Sequence, residues 1–455
     1  MKHREYGQEQ PYFPLGPFKV RLPFVHYRWE WPEALQALLM CSTCLGAIPV
    51  LTEILGVPFE IAWSMVIING LLYSFHSLLG DPVVPGWITP AVPLVTAFLG
   101  NYAIGVERIQ ALIAMQLLVG IIFLIMGLTG LAGKLMKIIP DSIKAGILLG
   151  AGVAAVFGEF KMGGRFGIYP ISITVGIILA YLILFSDGFA SLKKKNKFCA
   201  TIGKYGMVSA IVISVILGPL VAEIPMPQIE IGSVIKIPDF IGLIKTVSPF
   251  GVGFPALSMF ISAIPMAIIS YVIAFGDFIT TGALIGEADE IRQDEKIDFN
   301  SNRSNLISGI RNIIMALIAP FTQLCGPLWA AVTAAISQRY KEGREEMDSI
   351  YSGAGTFRWM SFVGVSLIPI VSLLQPVLPI ALSLTMLVQG YICTRLAMVI
   401  CKNDTDRGIA GVMGAVLAAK GAAWGLGVGI LLHLILRDFT VKKTAVAELD
   451  KSASA

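Results

Sequence analysis

Apolar stretches separated by short polar segments run along almost the whole chain. Runs such as 108–131 and 207–222 consist almost wholly of apolar residues, as expected of helices that cross a bilayer. The pattern predicts an all-α polytopic membrane protein of about fourteen spans. The predicted spans are 34–55, 58–79, 86–103, 107–131, 139–158, 168–187, 204–223, 256–284, 303–319, 321–338, 357–376, 378–400, 406–420 and 421–438.

Composition supports the membrane assignment. Of 455 residues, 55% are hydrophobic and 14% are charged, whereas a soluble protein carries about 25% charged residues. The six cysteines fall mainly in apolar spans and are interpreted as packing residues. Cys41-x-x-Cys44 also permits a redox or metal interpretation, but no second such pair or nearby histidine completes it. We therefore predict no cofactor and no metal.

Charge placement predicts the orientation, because cytoplasmic loops are rich in lysine and arginine. With the N-terminus inside, the predicted inside segments are the basic ones, which places both termini in the cytoplasm of a cell inner membrane protein. Four regions follow: a cytoplasmic arm 1–33, a first seven-span repeat 34–245, a second repeat 246–438 and a cytoplasmic tail 439–455. The inside positive charges include Lys134, Lys144, Lys193, Lys194, Lys195, Arg339, Lys341, Arg344, Arg358, Lys402, Arg407 and Arg437.

Two short segments share the pattern Pro-x5-Thr-Ala. One runs from Pro90 to Ala97 and the other from Pro327 to Ala334. They fall in the third and tenth spans, which are equivalent places in two halves of seven spans. Since seven is odd, the second half is inverted relative to the first, and interrupted segments at matching places indicate a transporter's midplane site. Coincidence is the alternative, because Pro, Thr and Ala are common in membrane helices.

Two polar residues in apolar surroundings are candidates for chemistry. Asp277 lies within the eighth span and is interpreted as a proton carrier or substrate contact, because charges inside a membrane are costly. The alternative is that it caps a helix break or bonds a neighbouring Ser or Thr. Gln323 precedes the second interrupted segment, and its amide suits a planar polar solute or simply joins helices.

Other charged groups have plainer interpretations. Gln389 and Arg395 in the twelfth span are candidates to pair with an acid or to neutralise an anion; alternatively, Arg395 extends toward the membrane surface. An acidic stretch after the eighth span lacks calcium-loop spacing and is interpreted as a solvated cytoplasmic loop rather than a metal site; it comprises Glu287, Asp289, Glu290, Asp294, Glu295 and Asp298. No phosphate loop, HExxH or Ser/His/Asp grouping is present, so an enzyme is not predicted. Without a nucleotide-binding domain, uphill transport must draw on an ion gradient.

Several motifs resemble those of the nucleobase–ascorbate transporters, the uracil and xanthine permeases. Gln36 and Pro49 match the spacing of the Q-H-x-x-x-M…P pattern in the first span. Pro85 matches the third-span motif I-P-x-Y-L-G-S-S, and Gln323-x-x-Gly326 matches Q/E-N-x-G.

The eighth and fifth spans add to this resemblance, although the match is incomplete. Gly276-Asp277 matches the end of E-x-x-G-[DH], but Ile273 stands at the glutamate position and Leu324 at the Asn of Q/E-N-x-G. The fifth span, IPDSIKAGILLGAGVA, resembles P-P-x-x-x-G-x-x-x-x-x-G-L. APFTQLCGPLWAAVTAAI also looks like the tenth span of the benzoate permeases, and the sulfate permease family is a weaker match.

The resemblance implies a fold and a mechanism. It implies a 7+7 inverted repeat with a core domain (spans 1–4 and 8–11) and a gate domain (spans 5–7 and 12–14), an elevator motion and a homodimer. Substrate would lie between the third and tenth half-helices. The candidate substrate-binding residues are Thr43, Thr89, Pro90, Ala91, Val92, Asp277, Thr322, Gln323, Gly326 and Pro327.

These observations predict a secondary active transporter in the lipid bilayer. Its substrate is a small weakly acidic or anionic organic solute, such as a nucleobase or an aromatic or carboxylic acid. Symport with H⁺ or Na⁺ is expected, with Asp277 as the coupling residue. The alternatives are an anion exchanger of the sulfate-permease type and, from another class, a channel.

Overall fold

The chain is an all-α membrane protein with a small N-terminal hairpin. The computed structural model describes residues 4–230 and 233–438, so the predicted tail 439–455 lies outside the described residues. The hairpin pairs β1 (Phe13–Leu15) with β2 (Phe18–Val20) in antiparallel fashion. The helices of the first half are α1 Trp31–Leu45, α2 Ala47–Leu55, α3 Phe59–Leu79, α4 Val92–Leu99, α5 Val106–Leu128, α6 Leu131–Ile138, α7 Asp141–Phe160, α8 Pro170–Phe185, α9 Asp187–Lys195, α10 Lys197–Lys204 and α11 Met207–Leu220.

The remaining helices belong to the second half of the chain. Its helices are α12 Phe240–Thr246, α13 Pro249–Val252, α14 Leu257–Ile291, α15 Ser301–Ile318, α16 Ala330–Tyr340, α17 Ile350–Ser366, α18 Ile368–Leu374, α19 Leu378–Ile400, α20 Asp404–Lys420 and α21 Ala422–His433. This arrangement confirms the predicted 7+7 inverted repeat.

Many of the spans are short or broken. Within the described residues, six helices are long and apolar enough to cross a membrane alone, or seven if the pair α8–α9, bent by 68°, is one span. The third span contains α4 after a 3-10 turn at Thr89–Ala91, and the tenth contains α16; an extended segment leads into each. The predicted irregularity of these two spans is therefore correct.

The helices form two bundles. One, here called the core bundle, packs α5 along α15 and α14, and α17 along α1 and α3. The other, the gate bundle, packs α7 along α19 and α20, and α8 along α11. The candidate site lies where α19 faces α1 and α16 of the core bundle.

The eleventh span begins earlier than the sequence pattern predicts. Helix α17 begins at Ile350, and the chain then breaks at Leu367 before α18, whereas the predicted span was 357–376. The capping Ser349, whose side chain accepts from the Tyr351 amide, explains the early start. As a result Arg358, predicted at the cytoplasmic beginning of this span, lies inside α17 with 1% of its surface exposed.

The predicted solvated acidic loop is partly buried. Glu295 is 1% exposed and accepts a hydrogen bond from Ser349 Oγ at 2.6 Å, while Asp294 pairs with Arg4 at 2.9 Å. Burial acts to raise the pKa of Asp298, but hydrogen bonds from Lys19 and Arg303 outweigh it and hold that pKa below its ordinary value. The loop thus docks the N-terminal arm. Within the described residues no group of three His, Cys, Asp or Glu side chains is placed to hold a metal ion.

The extended segments before α4 and α16 cross each other as an antiparallel bridge between Trp87 and Cys325. The Gly326 amide donates to the Gly86 carbonyl at 2.8 Å, and the Trp329 amide donates to the Val84 carbonyl at 2.6 Å. This pairing matters because unpaired backbone groups are costly in a membrane. The crossing places the beginnings of α4 and α16 on either side of one space.

We predict that Gly86→Ala destabilises the protein. A methyl group on Gly86 would lie 2.6 Å from the Leu328 carbonyl oxygen, which is backbone and cannot turn aside. The expected loss is about 1–3 kcal/mol, seen as a lower apparent Tm of the purified protein in detergent. Gly408→Ala is the matched control, because nothing lies within 4 Å of a methyl group there. Equal Tm values for the two variants would show that the crossing is not close-packed.

Candidate functional site

Side chains of α5 and α15 support the second extended segment from behind. Asn312 donates to the Cys325 carbonyl at 2.8 Å and accepts from the Cys325 amide at 3.0 Å, while Gln116 accepts from the Phe321 amide at 2.8 Å. Gln116 also donates to Asn312 at 3.3 Å. Leu324 is held between these contacts with φ +47°, a left-handed conformation that costs about 1–3 kcal/mol for such a side chain. The surrounding contacts therefore hold this loop in a strained shape.

Thr333 of the Pro-x5-Thr-Ala pattern clamps the first extended segment. Its hydroxyl accepts from the Val84 amide at 3.1 Å and lies 3.4 Å from the Val84 carbonyl. The pattern thus places a hydroxyl of one half against the backbone of the other. For the first copy, the side chains of Pro90 and Ala97 lie outside the described residues.

A cavity lies between the crossing and the gate bundle, with about 480 Å³ of space not filled by protein atoms, including its opening to solvent. One wall is the core bundle and the two extended segments; the other is α19. The lining residues are Thr43, Cys44, Tyr73, Gly86, Trp87, Thr89, Asp277, Leu328, Trp329, Arg358, Leu382, Met386 and Gln389.

Arg358 is the cation of this cavity. Its guanidinium carbon lies 4.3 Å from the centroid of the Tyr73 ring and 5.2 Å from that of Trp329. None of its three nitrogens has a hydrogen-bond partner, and no carboxylate of the described residues pairs with it. Cation–π contacts offset only part of the cost of burying such a charge. The guanidinium therefore has five N–H donors that are available to an anion.

Asp277 is the carboxylate of the same cavity. It lies within the continuous helix α14, so it does not cap a helix break. The neighbouring Thr280 hydroxyl donates to the Gly276 carbonyl at 2.9 Å instead of to Asp277. Among the described residues, no side chain forms a hydrogen bond or an ion pair with the Asp277 carboxylate. Asp277 therefore neither caps a helix break nor bonds a neighbouring Ser or Thr, the two structural roles considered from the sequence.

The structure brings some of the predicted site residues together. Thr43, Thr89 and Asp277 all line the cavity. Gln323 does not; it is 2% exposed, its Oε1 accepts from the Thr322 hydroxyl at 2.8 Å, and its carbonyl accepts from the Ile88 amide at 3.2 Å. Gly326 lies against the Trp87 and Ile88 backbone at the crossing. The remaining predicted residues with described side chains do not line the cavity: Ala91, Val92, Thr322, Gly326 and Pro327.

Sequence reasoning missed Arg358, Tyr73 and the two tryptophans. Arg358 was counted among the inside positive charges at the beginning of the eleventh span, although the polar-and-small run SGAGTFRW around it resembles a packed helix face. Arg395, in contrast, pairs with Glu287 at 2.9 Å and joins α19 to α14. The Arg395 charge is therefore paired within the protein and does not line the cavity.

Comparison with solved structures shows a shared fold. The structure of SLC26A9 matches with TM-score 0.51 and 13% identity over 89% of this chain and 65% of that one. The murine Slc26a9 anion transporter in the inward-facing state matches with TM-score 0.50 and 12% identity over 90% of this chain and 69% of that one. The transmembrane domain of the cyanobacterial bicarbonate transporter BicA aligns over 88% of this chain and 97% of its own, with 13% identity and TM-score 0.49.

Sequence comparison gives no family. No family model matches the chain, and no curated protein matches it. None of these three structures is of a nucleobase–ascorbate transporter; the likeness shows the fold, and the sulfate-permease branch of the resemblance stays a proposal. The chain is thus a multi-pass membrane protein with the fold of the Solute Carrier 26 transporters.

Proposed function

We propose that this protein transports a small anion across the membrane. The observation that carries the proposal is Arg358, a buried guanidinium that lines the cavity with no hydrogen-bond or ion-pair partner among the described residues. The beginning of α16 adds free backbone amides and a partial positive charge beside it. The fold shared with a protein described as an anion transporter supports this proposal.

We infer an aromatic environment for the substrate, because Trp87 and Trp329 line the cavity with Leu382 and Met386 of α19. The Arg358 cation stands among these side chains, and Asp277, Thr43, Thr89 and Gln389 add polar groups to the lining. A cation beside polar groups suits an inorganic oxyanion or a small carboxylate. The organic acids predicted from sequence remain within this class.

We further propose that Asp277 couples transport to a cation. A carboxylate facing the cavity without a partner can take up H⁺ or bind Na⁺, and either removes its repulsion of an incoming anion. Cation and anion then bind favourably together, which is the requirement for symport. Anion exchange is the alternative, and it needs no such linkage. The homodimer and the cytoplasmic termini also stay predictions.

We predict that Arg358→Gln abolishes anion binding without unfolding the protein. Removing an uncompensated buried charge should leave the Tm of the anion-free protein unchanged or raise it. Addition of sodium chloride, bicarbonate, sulfate or benzoate should raise the Tm of the wild type for at least one salt and not that of the variant. Arg344→Gln is the control, because that side chain is 43% exposed and pairs with Asp348. An anion-dependent Tm shift that survives in Arg358→Gln would contradict the assignment, as would a wild type that responds to none of the salts.

We predict that Asp277→Asn uncouples transport. In proteoliposomes, the variant should lose anion uptake driven by an inward H⁺ or Na⁺ gradient but retain exchange of internal for external anion. Asp404→Asn is the control, since its side chain is 97% exposed. Full gradient-driven uptake in Asp277→Asn would refute the coupling role. A wild type that exchanges anions but ignores both gradients would favour the exchanger.

A further inference from the structure

A second arginine lies behind the cavity without lining it. Arg311, on α15, is 0% exposed, and its guanidinium carbon lies 4.1 Å from the centroid of the Tyr73 ring. Arg358 lies 4.3 Å from the same centroid, and Tyr73 itself lines the cavity. Two guanidinium groups thus contact one ring of the cavity wall.

The charge of Arg311 is not neutralised by a neighbour. Its one hydrogen bond runs from Nη1 to the Gly326 carbonyl at 3.4 Å, and Nε and Nη2 have no partner. Arg303 on the same helix shows the contrast, because it pairs with Asp298 at 2.8 Å and lies 3.9 Å from Asp81. No carboxylate of the described residues forms an ion pair with Arg311, so its positive electric field extends into the surrounding low-dielectric interior.

That field must act on anything bound beside Arg358. The energy of a fixed charge with a ligand is proportional to the charge of the ligand, so Arg311 stabilises a divalent anion twice as much as a monovalent one at the same place. This ratio does not depend on the ionisation of Asp277, which adds a separate contribution. The Gly326 contact also ties Arg311 to the extended segment that forms the cavity wall.

We propose that Arg311 is a positioning residue that gives the anion site a second positive charge without touching the anion, and thereby sets its preference between divalent and monovalent anions. This inference rests on the proposed function, because it requires an anion beside Arg358. Arg311 thereby has a role although it does not line the cavity and does not contact the anion.

The test compares two tetrahedral oxyanions of similar shape, sulfate with two charges and perchlorate with one. Their Kd values for the full-length protein are measured at constant ionic strength by calorimetry, with the change in total tryptophan fluorescence, to which Trp87 and Trp329 contribute, as a second readout. In Arg311→Gln we expect perchlorate binding to weaken about tenfold and sulfate binding about a hundredfold. Arg311→Lys is the matched control: it keeps the charge and loses the planar shape, so the ratio of the two Kd values should stay close to that of the wild type.

The results distinguish a failure of the charge role of Arg311 from a failure of the proposed anion transport. Equal weakening of both anions in Arg311→Gln, or no weakening, overturns the charge role and leaves Arg311 as a packing residue. If Arg311→Gln does not fold, Arg311→Lys decides: a wild-type Kd ratio supports the inference and a lost ratio overturns it. Failure of the proposed function has a different signature, since wild type would then bind neither anion, or Arg358→Gln would bind both as well as wild type.

Discussion

The pairing of backbone groups at two broken helices is the constraint on which the rest of the structure depends. Inside a membrane each unpaired amide or carbonyl is costly, yet α4 and α16 both begin within the protein after extended segments. Antiparallel hydrogen bonds between the two segments pair some of these backbone groups. The side chains of Gln116, Asn312 and Thr333 pair with further backbone amides and carbonyls of the segments. The glycines at the crossing follow from the same need, since the two backbones touch.

The crossing also forms part of the surroundings of the buried Arg358 charge at the cavity. It holds the beginning of α16 beside Arg358, and the side chains around that guanidinium are aromatic or weakly polar where an ion pair would have neutralised it. A protein selected for stability alone would have little use for such a group. The energetic cost is understandable if an anion completes the site, as we propose. In that proposal the ionisation of Asp277 controls when the anion binds, and function and stability would then be opposed at Arg358 and Asp277.

The sequence predicted the architecture well because hydrophobic length and periodicity determine it directly. Fourteen apolar stretches, the irregular third and tenth spans and the equivalence of the two halves all follow from local patterns. The Pro-x5-Thr-Ala pair pointed to the two segments that cross beside the cavity, and Thr333 shows a structural use for the pattern in one copy.

The chemistry of the cavity was harder to predict because it depends on tertiary contacts. Arg358 was misplaced since loop arginines and buried arginines look alike one residue at a time, and the early start of α17 depends on the cap at Ser349. Gln323 matched a recognition motif, but its side chain bonds Thr322 and its backbone bonds Ile88. Tyr73 could not be distinguished from any other aromatic residue of a span until two arginines were found against it.

The most direct test of an anion site at Arg358 is to see the anion. Crystals grown with selenate, measured at the selenium absorption edge, would locate it independently of any variant. We predict an anomalous peak in the cavity between Trp87 and Trp329, with selenate oxygens within hydrogen-bond distance, about 2.7–3.2 Å, of the Arg358 guanidinium. Selenate peaks that lie only on the protein surface, with water or lipid filling the cavity, would contradict it.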